Sequence, residues 1–141
     1  VIKEKHLWLY MNIAKLCAKQ SVARRLQVGC VIVKDDNVIS MSWNGMPPGW
    51  NNDCEIHTTK GLVTKNEVLH SEENAICKLA KSNGNADGAT MFITHSPCFN
   101  CSRLIYKAGI REVFYLHLYR NTDGIDFLTK CNVIVTQMQG E

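Results

Sequence analysis

Two short stretches constrain this chain more than anything else in it: His70-Ser71-Glu72 and Pro97-Cys98-Phe99-Asn100-Cys101. One imidazole and two thiols are the donor set of a catalytic zinc ion that keeps its fourth position open for water. Cys98 and Cys101 stand three apart, so in the first turn of a helix they share a face and reach one ion. Pro97 suits the first helical position, where its missing N–H is not needed, and the unpaired N–H groups of that turn favour thiolates. His70 likewise opens a helical run through Ala80. The fold must then bring two helix N-termini face to face, with Glu72 as a carboxylate beside the water.

A lone Cys-x-x-Cys also describes half of a structural zinc site, a redox pair or two core cysteines. A structural zinc asks for a fourth Cys or His at matching spacing, and a redox pair has no use for an upstream His-x-Glu. The remaining cysteines, Cys17, Cys30, Cys54, Cys77 and Cys131, bring the total to seven, several of them inside apolar runs. That is reduced, intracellular usage and not a disulfide framework. Cys54 and His57, three apart, are the one pair that suggests a second zinc.

At 141 residues the chain reads as one domain, residues 1–141, with a single sizeable core. A net charge of +3 suits an anionic small molecule. It supplies no nucleic-acid track, since Arg24-Arg25 is the only adjacent Lys/Arg pair. No apolar stretch approaches the ~20 residues of a membrane span, so the expectation is a cytoplasmic protein without a membrane partner.

Apolar spacing predicts an amphipathic helix over residues 3–19. The β-branched run 28–33 reads as a buried strand, Asp35-Asp36-Asn37 as a turn, and 38–43 as the returning strand of a hairpin. Gly45, Pro47, Pro48 and Gly49 break any pattern, leaving 44–69 as a long connection of the functional kind. Beyond it come a helix from His70 to about Asn83-Gly84, a strand over 90–94, and a helix after Pro97 that stops at Gly109. A strand over 113–116, a short helix over 125–130 and a strand over 133–135 complete the order. The last three strands alternate with helices and should be parallel. The hairpin adds an antiparallel strand, for an α/β fold: a three-layer α/β/α arrangement of one five-stranded mixed sheet with helices on both faces.

His-x-Glu followed by Pro-Cys-x-x-Cys is the signature of zinc-dependent nucleobase deaminases, and the whole chain resembles the cytidine deaminase superfamily. Within it, the chain is similar to the deoxycytidylate (dCMP) deaminases. The matching stretches are Arg25 to Val33, Trp43-Asn44-Gly45-Met46-Pro47, Gly88 to Cys98 and Lys107-Ala108-Gly109-Ile110. The resemblance implies a strand order of 2-1-3-4-5, one catalytic Zn²⁺, and hydrolysis of dCMP to dUMP and ammonia for thymidylate synthesis. It also implies a homohexamer, activated by dCTP and inhibited by dTTP, with Mg²⁺ accompanying a triphosphate effector. Trp43, Gly45, Asn51 and Asp53 would form the effector pocket near the second strand and the long loop. Two residues depart from the family pattern: Ser71 stands where Ala is more frequent, and Trp43 where Tyr is usual.

Glu72 is then the residue that takes the protons of the attacking water in turn, giving one to N3 of cytosine and the next to the departing ammonia. Asn44 offers a donor and an acceptor to a sugar hydroxyl or base edge, or is a plain turn residue before Gly45. Arg25 could fork onto a 5′-phosphate, and by family position Tyr119 would join it; otherwise both are solvated surface residues. Ser71 and Ser96, next to the zinc signature, complete the substrate-binding set. His95 reads as a packing residue or a support for a neighbouring subunit. Competing activities are deamination of free cytidine or deoxycytidine, of dCTP, or of a base in nucleic acid. A catalytically silent nucleotide sensor is argued against by the intact Glu72.

Overall fold

The computed structural model describes residues 2–140. A 3-10 turn, Glu4–His6, leads into α1 (Leu7–Ala18). Then follow β1 (Gly29–Lys34), β2 (Asn37–Trp43), β3 (Glu55–Thr58), β4 (Gly61–Thr64), α2 (Ser71–Ala80) and β5 (Thr90–His95). α3 (Phe99–Lys107), β6 (Glu112–His117), α4 (Asp123–Lys130) and β7 (Ile134–Gln137) close the order. Five strands form one sheet in the order β2-β1-β5-β6-β7, which is 2-1-3-4-5 when only its own strands are counted. β1 is antiparallel to both neighbours, β2 and β5, while β5, β6 and β7 are parallel.

Side-chain parity along the central strands divides the core in two. Cys30, Ile32, Met91, Ile93, Val113 and Tyr115 face one way and pack against Ala75, Ile76 and Leu79 of α2, Ile105 of α3 and Leu128 of α4. Val31, Val33, Phe92 and Phe114 face the other way, beneath Tyr10, Met11, Ala14 and Cys17 of α1. Strands buried on both faces need unbroken apolar runs, which is why β1 and β5 were readable as strands. α1 lies so close to β1 that a Cβ on Gly29 would overlap the Ala14 carbonyl oxygen.

The β1–β2 turn places Asp35 and Asp36 at φ 54° and 56°, with Lys34 paired to Asn37. Two left-handed residues make this a type I′ turn, which matches the twist of the strands it joins. The Tyr10 hydroxyl lies 2.6 Å from both the Asp36 carbonyl oxygen and its Oδ1, and His6 Nδ1 lies 2.8 Å from Oδ2. The turn is thereby pinned to the start of α1.

The stretch 44–69 is not wholly irregular, as the sequence pattern suggested. β3 and β4 pair antiparallel as a hairpin of their own, Glu55 opposite Thr64 and Thr58 opposite Gly61, apart from the main sheet. Ile56, His57 and Thr58 are exposed, so no apolar alternation announces the strands. Polar contacts at the base hold them: the Glu55 carboxylate described below, and Lys65 N–H donating to the Cys54 carbonyl at 2.8 Å. Among the described residues no helix is long and apolar enough to cross a membrane.

Candidate metal centre and substrate cleft

His70 is the N-cap of α2, and its N–H donates to Glu73 Oε1 at 2.6 Å, half of a capping box. The next two side chains turn inward: Ser71 is buried and Glu72 is 4% exposed. On α3 the N-cap is Cys98, whose Sγ accepts from the Cys101 N–H at 3.5 Å. Pro97 therefore precedes the cap and is not the first helical residue as expected. Cys98 is extended, at φ −71° and ψ 171°, which lets its sulfur cap the helix while Cys101 lies above it in the same turn.

His70 Nδ1 is 3.2 Å from Cys101 Sγ and 3.8 Å from Cys98 Sγ, and the three donor atoms all lie within 4.8 Å of one another. Among the described residues this is the one such cluster. Hydrogen bonds from Cys101 and then His70 hold the Cys98 thiol down at about 4. The same contact to Cys98, with burial, pushes Cys101 far up. His70 rises to about 9, chiefly through its bond to Cys98. These contacts favour the deprotonated form of Cys98 at the start of α3. Two sulfurs and one imidazole nitrogen converging on one point fit zinc in number and softness.

Glu72 Oε1 accepts from the Ser71 hydroxyl at 3.0 Å, and burial pushes the Glu72 carboxyl up. The cleft beside it has Leu26, Val28 and Val68 as apolar wall, and Arg25, Asn44, His70, Ser71, Ser96, Cys98 and Tyr119 also line it. Asn44 is heavily braced: its Oδ1 accepts from Val28 N–H at 2.9 Å and its Nδ2 donates to the Leu26 carbonyl at 2.9 Å. One N–H and one lone pair of that amide remain for another partner.

Also on the cleft wall, Arg25 Nε donates to Thr64 Oγ1 at 2.7 Å and its Nη2 to the Tyr119 hydroxyl at 2.6 Å. Tyr119 is itself placed by its N–H, which donates to Ser96 Oγ at 2.8 Å. Arg25 is therefore ordered and partly buried, not a freely solvated side chain. Its neighbour Arg24 faces outward, to Asp53 at 3.0 Å.

Other expected residues fall elsewhere. Trp43 and Gly45 border a groove with Met46, Asn74, Lys78 and Lys81. Asn51 and Asp53 are exposed and do not border it; Asn51 Oδ1 accepts from Asp53 N–H, and Asp53 pairs with Arg24. Of the four, Trp43 and Gly45 line this groove. Cys54 and His57 do not share a metal either. Cys54 is buried, its thiol directed at the Asn52 carbonyl at 3.5 Å, whereas His57 is exposed on β3. Three-residue spacing puts two side chains on opposite faces of an extended chain.

Sequence reasoning passed over Thr64 and Val68 and read His95 as a packing or subunit-supporting residue; all three are on the cleft wall. The first two sit in the stretch judged irregular. His95 carried a signal in its adjacency to Pro97-Cys98; its ring lies between those of His117 and Tyr119, at 5.1 and 6.4 Å, and burial pushes its pKa down.

Comparison with known proteins adds to this geometry. The family model of the cytidine and deoxycytidylate deaminase zinc-binding region matches residues 4–117. ComE operon protein 2 of Bacillus subtilis is 33% identical over 116 residues, which span 79% of this chain and 59% of that protein. Human deoxycytidylate deaminase is 32% identical over 147 residues, 89% of this chain and 82% of its own length. The crystal structure of dCMP deaminase from cyanophage S-TIM5, in complex with dCMP and dUMP, matches with a TM-score of 0.92 at 41% identity. That match covers 98% of this chain and 100% of the phage protein.

Proposed function

This chain belongs to the cytidine and deoxycytidylate deaminase family, and on that premise we propose that it hydrolyses dCMP to dUMP and ammonia as a single domain of 141 residues. The observation that carries the nucleotide reading is the Arg25–Tyr119 pair on the cleft wall. A nucleoside deaminase has no use for a guanidinium held there without a carboxylate.

In this reading His70, Cys98 and Cys101 hold zinc, which when bound supplies the Lewis acidity that lowers the pKa of water towards ~7. Glu72 takes one proton as water adds to C4 of cytosine and delivers it to N3. It then carries the second proton to the departing amino group, leaving the uracil carbonyl, so water and dCMP become dUMP and ammonia. Burial that raises its pKa makes Glu72 a better proton carrier, and the Ser71 hydroxyl fixes which oxygen faces the reaction. Asn44 presents its remaining N–H and lone pair to the sugar or base. Arg25 takes the 5′-phosphate as a charge-assisted fork, with Tyr119 beside it and Ser96 holding Tyr119.

Lys78 and Lys81 on the groove at Trp43 and Gly45 support a site there for the triphosphate groups of dCTP or dTTP. Association as a homohexamer, and a place in the cytoplasm with the nucleotide pool, belong to the same reading.

The test is loss of cytosine absorbance by zinc-loaded protein given dCMP or deoxycytidine at equal concentration. Strong preference for dCMP is expected. Equal rates, or preference for the nucleoside, would keep the deaminase chemistry and sink the phosphate site.

A further inference from the structure

The β3–β4 hairpin touches Arg25 twice, once at its main chain and once at its guanidinium. Glu55, on β3, is 2% exposed. Its Oε2 accepts from the N–H groups of Arg24 and Arg25 at 2.9 and 3.1 Å, and its Oε1 lies 3.5 Å from Arg24 Nε. A carboxylate this buried is costly unless it is hydrogen-bonded and balanced by charge. Here it grips the peptide N–H groups that precede β1, and the outward-facing Arg24 supplies the balancing charge.

Thr64 lies directly opposite Glu55 in the hairpin register, so the two side chains leave the ribbon on the same face. Its Oγ1 accepts from the Arg25 Nε–H at 2.7 Å. With Nε and Nη2 bonded to two neutral oxygens, the plane of the guanidinium is set at two points. Among the described residues it has no carboxylate partner. A guanidinium carries five N–H donors in a rigid fork, so three are left for an anion in the cleft.

We propose that the cross-strand pair Glu55–Thr64 positions Arg25 for the 5′-phosphate, and so sets the preference for nucleotide over nucleoside. Glu55 fixes where the arginine starts, and Thr64 fixes how its fork is turned. Both are positioning residues: they act through Arg25 and do not touch the reacting atoms. The inference rests on the dCMP reading above and names the element that enforces it.

The test compares Thr64→Val, Thr64→Ser and Glu55→Gln with the parent enzyme on dCMP and deoxycytidine, all zinc-loaded. Thr64→Val removes the acceptor at nearly constant volume and should raise KM for dCMP about tenfold, with kcat and the deoxycytidine kcat/KM changed by less than about twofold. Thr64→Ser keeps the hydroxyl and should restore the parent KM. Glu55→Gln weakens the grip on two N–H groups and should raise KM for dCMP about fivefold with the same selectivity. Thermal melting monitors folding, and because Thr64 is only half-buried, its variants decide the matter if Glu55→Gln unfolds. A Thr64→Val enzyme that keeps the parent KM for dCMP, or that weakens both substrates equally, overturns the inference. If the parent enzyme shows no preference for dCMP, the nucleotide reading falls and takes the inference with it. A preference in the parent that Thr64→Val retains in full overturns the inference alone.

Discussion

The metal cradle and the Arg25–Tyr119 end of the cleft are assembled from different kinds of contact. His70, Glu72, Cys98 and Cys101 all sit at the starts of two helices, where capping hydrogen bonds and the helix turn itself set their directions. Arg25, Thr64 and Tyr119 come from the segment before β1, an isolated hairpin and the loop after β6. They meet only through their own side chains, across 39 and 94 residues of sequence. The first arrangement is stiff because the backbone enforces it. The second can be retuned one residue at a time, so substrate choice can change while the chemistry is kept.

The largest loss is expected at Glu72. Glu72→Gln preserves shape and removes the proton carrier, so kcat should fall by about 10³-fold or more while zinc content, read by metal analysis, is retained. A variant keeping a tenth of the parent activity would remove Glu72 from the mechanism. Next comes the Arg25–Tyr119 end: Arg25→Gln should raise KM for dCMP by about 30- to 100-fold, or about 2–3 kcal/mol, and leave deoxycytidine turnover alone. A matching loss on deoxycytidine would mean that the two ends are not separable.

A smaller effect is expected where α4 braces the cradle. A Cβ on Gly124 would overlap the Pro97 carbonyl oxygen and approach Cys98 C at 2.9 Å. Gly124→Ala should therefore displace α4 from the Cys98 turn, cost about 1–3 kcal/mol in chemical denaturation, and release zinc to a competing chelator more readily. Unchanged zinc retention would show that the cradle needs no support from α4.

The smallest effect belongs to the pin between α1 and the β1–β2 turn, remote from both ends of the cleft. Burial and the Asp36 carboxylate push the Tyr10 hydroxyl from 10.0 up to about 12. The unfolded chain therefore loses that proton first as pH rises. This contribution is complete below pH 10 and disappears towards pH 12. Asp36 is held below its ordinary 3.8, foremost by the Tyr10 hydroxyl. Its contribution is present above about pH 4 and is lost as pH falls through the lowered value. Tyr10→Phe should flatten the pH dependence of the urea midpoint at both extremes while dCMP turnover at neutral pH stays the same. An unaltered profile would assign the pin no part in stability.

The two ends of the cleft were also unequally legible in the sequence. The cradle was readable because a Cys-x-x-Cys and a His-x-Glu before helical runs specify side-chain direction locally. The sheet was readable because β1, β5 and β6 are buried on both faces and so carry continuous apolar runs. The hairpin was not, since its two strands of four residues are mostly exposed and owe their position to Glu55 and Lys65. Asn44 was visible as a polar residue at a strand end. That its amide is largely used in bracing Leu26 and Val28 was not. Asn51 and Asp53 were grouped with Trp43 on the strength of the resemblance, and of these only Trp43 lines the groove beside α2.

The donor set, the carboxylate beside it, the helix starts that aim them and the buried strands were thus legible from local pattern alone. Each of these follows from spacing within one turn or one strand, where backbone geometry leaves little freedom. Only the tertiary structure decided that Arg24 faces solvent and Arg25 the cleft, that Thr64 orients the guanidinium, and that Cys54 and His57 stay apart. Those outcomes depend on side chains meeting across dozens of residues, and no local pattern encodes the path of the chain between them.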